Sequence, residues 1–379
     1  MKIVIAPDSF KESLSAEQVA KAVHSGFSLI FPDADYHLLP IADGGEGTIQ
    51  ALAQANNSII ETRSVTGPLG VPVNAQIAFS KDKSIAFIEM AEACGLHLVP
   101  QEDRNPLNTT SYGVGELILY AIEKGANELI IGVGGSSTND GGMGMASALG
   151  YQFLDKNGNT VLGTGQDLFN VVSMSDKNVD KRVHSVKIII AADVDNPLIG
   201  NNGATYIYSP QKGLMSDQWA NVDQAMAKFY ELGESFIGKS VRDIPGSGAG
   251  GGMAAGLLLF GNSVLKKGIE LVLDHLHVRE ICQDADIVIV GEGKIDGQTI
   301  NGKAPIGVAR CAPPSATVVA ICGGVGPGSE VLYNHGIHAI FPTIPALASK
   351  ETIMNNAFSN IERTARNVAM LLGRNGVNR

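Results

Sequence analysis

The sequence predicts an α/β fold: a Rossmann/flavodoxin-like parallel-sheet domain with a second, mixed α/β domain inserted into it. Three observations predict this. The 379 residues exceed the roughly 100 to 200 of a typical domain, so two domains are expected. Short apolar runs bounded by glycine or proline occupy both ends of the chain and alternate with helical patterns, as βα units of a parallel sheet do. Between them lie short runs joined by tight turns, which reads as antiparallel pairing.

The first run, KIVIAP at residues 2–7, reads as a buried strand, and a polar turn over 8–13 follows it. Ser15 with Gln18 three residues on fits a capping box, and Ala16, Val19, Ala20, Val23 and Phe27 fall on one helical face. A second strand over 36–39 runs into the glycine-rich PIADGGEGT at 40–48, and another helix is expected beyond it. The next comparable runs, 286–290, 317–321 and 338–341, come far downstream and complete this domain, which is therefore assigned to 1–60 and 280–379. The insert, 61–279, opens with runs at 59–65, 73–79 and 84–90 separated by Gly-Pro and Lys-Asp turns. A helix over 113–124 and strands over 128–133 and 186–191 follow. An insertion of this kind leaves a cleft, the usual location of a ligand site.

Apolar residues at 44% and charged residues at 17% are ordinary for a globular protein. The net charge of −10 disfavours nucleic acid and anionic membranes as partners, since both would repel the average field. A small anionic ligand would need a local cationic pocket. Four cysteines, Cys94, Cys282, Cys311 and Cys322, stand far apart with no CxxC pair, which suggests buried free thiols in a reducing cytoplasm rather than zinc or disulfides. The N-terminal apolar run is too short for a signal-peptide core, and no stretch of about 18 apolar residues would span a membrane.

Glycine is the unusual residue: 45 of them, gathered into clusters. Two polar, glycine-flanked segments, Asp8-Ser9-Phe10-Lys11 and Asp43-Gly44-Gly45-Glu46-Gly47-Thr48, sit at successive strand ends, where open α/β sheets bind ligands. A third, residues 131–144 (IGVGGSSTNDGGMG), follows a strand and precedes a small-residue helix. Its backbone N–H groups and the helix N-terminus suit a polyphosphate, with Gly134, Gly135, Ser136, Ser137 and Asp140 as candidate contacts. A fourth, GSGAGGG at 246–252, matches GxGxxG but lacks the strand that a dinucleotide fingerprint requires, so a close-packed loop opening a helix over 253–260 is expected instead. Residues 297–304 fit GxxxxGK yet end in Ala304, without the hydroxyl of a P-loop, although Lys303 could still meet an anion.

Acidic residues beside these loops supply what phosphoryl transfer needs: a base near an attacking hydroxyl and carboxylates for Mg²⁺. Asp193 and Asp195 leave one strand at its C-terminal end, and Glu292 and Asp296 leave another. Each of these acids is equally at home as an ordinary turn former.

At these residues the sequence resembles the bacterial glycerate kinase family of the class I type. The matching stretches run in order along almost the whole chain: APDSFK at 6–11 with SLSA at 13–16, residues 40–48, GPLG at 67–70, NPLNTTSYGVGELI at 105–118, and residues 132–144. They continue with DVDNPL at 193–198, PQKG at 210–213, residues 245–252 and residues 291–303. Small departures are Glu12 where glycine is commoner, Ser137 where alanine is frequent and Lys294 where arginine is frequent.

The resemblance implies a two-domain enzyme with its site in the interdomain cleft, transferring the γ-phosphoryl group of ATP to D-glycerate and giving 2-phosphoglycerate and ADP. The 3-phospho product and another small hydroxy acid remain as alternatives, as does a nucleotide-binding module without transferase activity. On this reading Asp193 is the base, with Lys294 and Lys11 beside it in the catalytic set. Substrate and phosphates are expected at Asp8, Ser9, Asp43, Gly44, Gly45, Gly134, Gly135, Ser136, Ser137, Asp140, Asn196, Lys212 and Lys303, and Mg²⁺ at Asp43, Glu292 and Asp296. Arg104 is a further cation near a motif. No nucleic-acid or membrane partner is expected, and a homo-oligomer is left open.

Overall fold

The computed structural model of the chain describes residues 1–10, 13–41, 52, 58–300, 303–346 and 348–375. The chain divides into two compact units, Met1–Gly44 with Gly268–Arg379, and Gly45–Lys267. The limits read from the sequence, 60 and 280, lie further along at both joints. The helix Gly268–His275 belongs with the first unit because it packs on Ala304–Ala309, where Ile269 and Leu273 fill the space beside Gly307.

The first unit holds a five-stranded, wholly parallel sheet. Its order is Ala339–Pro342, Thr317–Cys322, Ile287–Gly291, Lys2–Pro7, Asp35–Leu38. Counted along the chain within this sheet, that is the 2-1-3-4-5 order of flavodoxin-like folds, with the order reversing between Lys2–Pro7 and Ile287–Gly291. The first helix, Ala16–Ser28, forms where the capping box predicts: Gln18 N–H donates to Ser15 Oγ at 3.3 Å and Ser15 N–H to Gln18 Oε1 at 2.9 Å. It buries Val19, Ala20, Val23 and Phe27 against Ile3, Ile5 and Ile289 of the sheet. Burying Phe27 alone contributes about 1.5–3 kcal/mol. Helix Ala357–Asn375 lies beside it so closely that a Cβ on Gly26 would strike the Glu362 carbonyl oxygen.

The second unit holds a six-stranded mixed sheet in the order Ser263–Lys266, Lys187–Ala191, Glu128–Gly132, Ile85–Glu89, Pro72–Phe79, Ile59–Thr66. The first four strands are parallel and the last two antiparallel, as the turn-rich opening of this segment predicts. Its core joins Phe79, Ile88 and Ile131 of the sheet to Phe153, Phe229 and Phe260. The residues of GSGAGGG form turns that open the fully buried helix Met253–Phe260. Gly250, Gly251 and Gly252 all have positive φ, and a Cβ on Gly251 would strike the Thr138 carbonyl oxygen. This motif is therefore the packed floor beneath residues 138–142, and Gly141 N–H donates to Gly251 O at 3.1 Å. No described helix is long and apolar enough to cross a membrane.

Candidate active site

In the first unit the sheet order reverses where ligands of open α/β sheets bind, at the carboxyl ends of the two central strands. Pro7 pairs with Gly291, so Asp8 and Glu292 leave neighbouring strand ends. Asp8 N–H donates to Gly291 O at 2.8 Å, and the buried Asp8 carboxylate accepts from Ser9 N–H at 2.5 Å. Glu292 is also buried. Its Oε1 accepts from Thr299 Oγ1 at 2.5 Å, and its Oε2 lies 3.3 Å from Lys303 Nζ. Burial pushes the Glu292 carboxyl above the usual carboxylate range, against the pull of Thr299 and Lys303.

Lys294 lies 3.4 Å from Asp296, whose other oxygen accepts from Gln298 N–H at 3.0 Å. That backbone bond is the main reason the Asp296 carboxyl sits low. Lys303 precedes the six-residue helix Ala304–Ala309 and is held by Glu292, an arrangement unlike a P-loop lysine.

Among the described residues no group of three or more His, Cys, Asp or Glu could hold a metal ion. Of the expected Mg²⁺ ligands, Glu292 fits poorly because both its oxygens already serve Thr299 and Lys303. Asp296 also has both oxygens engaged, but its carboxyl is held low rather than raised by burial, and its partner Lys294 is exposed and free to give way to a cation. Lys11, Asp43, Gly44 and Gly45 lie outside the described residues.

In the second unit, Gly132 pairs with Ala191, so the glycine-rich loop and the segment bearing Asp193 leave adjacent parallel strands at their carboxyl ends. Asp193 is exposed. Asp195 is exposed too and lies 3.6 Å from Lys267. Asn196 is tied into its own loop, donating one amide N–H to Asn202 O at 2.8 Å and accepting from Tyr208 OH at 2.5 Å.

Asp140 is fully buried and accepts four hydrogen bonds, from Ser111 N–H, Ser111 Oγ, Gly142 N–H and Gly144 N–H, at 2.7–3.3 Å. Ser111 Oγ in turn accepts from Met145 N–H at 3.0 Å. The free N–H groups at the start of helix Met143–Ala148 are thus satisfied by Asp140 and Ser111, not held open for a phosphate. Burial raises the Asp140 carboxyl even against these donors.

What remains open is the start of the loop. Gly134 and Gly135 are exposed, and a Cβ on Gly134 would meet nothing within 4 Å. Beneath them Lys212 is 2% exposed, and its ammonium donates to Ser136 Oγ and to Thr138 O, both at 2.7 Å. An ammonium carries three donors, and the third N–H has no acceptor among the described residues. Burial lowers the Lys212 ammonium to about 8, while Asp140 acts in the opposite direction. Ser137 is turned inward, donating from Oγ to Cys94 O at 2.9 Å.

The structure thus groups Asp8, Ser9, Glu292, Lys294, Asp296 and Lys303 in the first unit, and Gly134, Gly135, Ser136 and Lys212 in the second. Several supporting residues were not singled out as site residues from the sequence: Thr299, Ser111, Thr109, which donates to Ser137 O at 3.1 Å, and Tyr230, which donates to Gly141 O at 2.7 Å. The hydroxyl run Thr109-Thr110-Ser111 just before helix Tyr112–Glu123 was the one visible signal.

Comparison with known proteins agrees over the whole length. The model of the glycerate kinase family matches residues 3–373. The chain is 49% identical over 373 residues to the glycerate kinase of Haemophilus influenzae, covering 98% of this chain and 99% of that one. It is 46% identical over 373 residues to the glycerate 2-kinase of Escherichia coli K12, covering 98% of each. A crystal structure assigned as glycerate kinase 2 from Salmonella typhimurium LT2 superposes with a TM-score of 0.88 at 46% identity, covering 99% of both chains. With the flavodoxin-like strand order, the loops at the strand ends and this end-to-end similarity in agreement, the chain belongs to the glycerate kinase family.

Proposed function

We propose that the chain transfers the γ-phosphoryl group of ATP to the 2-hydroxyl of D-glycerate, giving 2-phosphoglycerate and ADP. The observation that carries the site assignment is the Lys212 ammonium, buried beneath the exposed Gly134 and Gly135 with one donor unmet. A buried cation without a contacting carboxylate is costly unless an anion completes it. Its place beside a loop of small residues suits a transferring phosphate. The name of the Escherichia coli relative, glycerate 2-kinase, favours the 2-hydroxyl as acceptor.

Phosphoryl transfer asks little covalent chemistry of a protein; positioning and charge stabilisation dominate. Asp193, exposed at its strand end, accepts the proton of the attacking hydroxyl. Gly134, Gly135 and Ser136 line the path of the phosphate, and Lys212 fixes their conformation while adding its charge. In the first unit, Lys294 and Lys303 are the cations for nucleotide phosphates. Mg²⁺ on those phosphates would neutralise developing charge, and Asp296 is the described carboxylate suited to hold it. Four buried free cysteines fit a reducing cytoplasm, where we place the chain.

The test is ADP release measured with a panel of small hydroxy acids. D-glycerate is expected to give the highest kcat/KM; a stronger preference for another acid would replace it as the substrate.

A further inference from the structure

Beside the Lys212 loop lies a pocket of about 720 Å³, within the size range of small-molecule sites, that holds Arg104, Asn105, Asn108, Gly213, Leu69 and Met215. The half-buried Arg104 guanidinium uses only Nε, which donates to Val99 O at 3.4 Å. Its other four N–H groups have no acceptor, and no carboxylate pairs with it, among the described residues. Such a fork, held and unpaired in a cavity, matches a planar carboxylate.

The position of Arg104 is set by the same framework that holds the glycine loop. Gly213 follows Lys212 and has a φ of +95°; a Cβ there would strike the Arg104 carbonyl oxygen. Asn105 Oδ1 accepts from Leu107 N–H at 3.0 Å and closes the next turn. Thr109 then reaches Ser137 O, so residues 104–109 and the loop over 134–140 are tied together. Two acids, Glu102 and Asp103, also line the pocket and are exposed. Among the described lining residues Arg104 is the single cation, so an anion entering the pocket is held there. In a chain of net charge −10, a substrate carboxylate needs such a local cation.

We infer that Arg104 is the specificity residue for the acid group of the substrate, its guanidinium fork receiving the carboxylate of a small 2-hydroxy acid. This rests on the function proposed above. It is tested by comparing D-glycerate with D-glyceramide, its uncharged amide, on the wild-type chain, Arg104→Gln and Arg104→Lys.

For the wild type, kcat/KM is expected to fall at least about 100-fold on going to the amide, since a site built around a charged, bidentate partner rejects an analogue lacking it. In Arg104→Gln the two compounds should come within about threefold of each other, through a raised KM for glycerate, with the KM for ATP unchanged. Arg104→Lys, which keeps the charge but loses the fork, should fall between and serves if the glutamine variant does not fold. A wild type indifferent to the amide, or variants that keep the full preference, overturns the proposal while leaving the function standing. If the wild type transfers no phosphoryl group to glycerate, the function fails. Arg104 is then decided by NMR titration without nucleotide: glycerate binding that Arg104→Gln abolishes supports it, and equal binding by both, or binding by neither, overturns it.

Discussion

The Lys212 ammonium lies 2.7 Å from the Ser136 hydroxyl across 76 residues of sequence, and the same ammonium holds the Thr138 carbonyl oxygen at 2.7 Å. One buried cation thus shapes the loop that carries Gly134 and Gly135. Lys212→Met should lower kcat by at least about 10²-fold, the scale for losing one preorganised donor. The pH profile separates charge from packing. Burial lowers the group from 10.5 to about 8, so wild-type kcat/KM should fall as pH rises through about 8. Stability should respond in the opposite sense. The unfolded chain holds this proton up to about 10.5, so between about 8 and 10.5 it binds more protons than the folded one, and the contribution of Lys212 to stability rises. Residual Lys212→Met activity that keeps the limb near 8 would assign that limb to another group.

Asp193→Asn should reduce kcat at least about 10²-fold while leaving the KM for glycerate within about threefold, because the amide keeps the shape and loses the basicity. Steady-state kinetics check this. Near-normal turnover would remove Asp193 from the role of base.

Glu292→Gln probes the buried carboxyl beside Lys303. The folded pKa is raised, so the folded state binds more protons than the unfolded one above 4.5, and the stability this group contributes at low pH is lost as pH rises through its folded pKa. Urea unfolding of the variant should therefore show a flatter change in stability from pH 4.5 towards neutrality than the wild type. Parallel curves would mean that Glu292 titrates alike in both states.

Gly251→Ala and Gly238→Ala separate backbone conformation from contact. Both positions have positive φ, +68° and +78°, but a Cβ on Gly238 meets nothing within 4 Å whereas one on Gly251 strikes the Thr138 carbonyl oxygen. Gly238→Ala should cost about 1–2 kcal/mol, the left-handed penalty alone. Gly251→Ala should cost more and also lower activity by displacing the glycine loop. Equal costs in thermal unfolding would contradict the packed-floor reading.

Local patterns made much of the fold legible. The apolar run at Lys2–Pro7, the Ser15 and Gln18 capping box and the missing strand before Gly246 each depend on neighbours in sequence, and each predicted what is observed. Strand order was not legible, because the pairing of Pro7 with Gly291 spans most of the chain. Within the site, strand-end position identified Glu292 and the near-match to GxxxxGK identified Lys303, but not that they engage each other. At the N-terminus of helix Met143–Ala148, where spacing suggests a phosphate, Asp140 itself accepts from the Gly142 and Gly144 N–H groups, and spacing alone does not distinguish a carboxylate that caps from one that faces a ligand. The Arg104 pocket depends on Gly213, more than a hundred residues away in sequence, and so required the structure.

The central claim is tested most directly by proton-coupled ³¹P NMR of the chain incubated with ATP, Mg²⁺ and D-glycerate. The account predicts ADP together with a phosphoester split into a doublet by the single proton on carbon 2. A triplet from the two protons on carbon 3 would place the phosphate on the other hydroxyl, and the absence of any glycerate phosphoester would contradict the account.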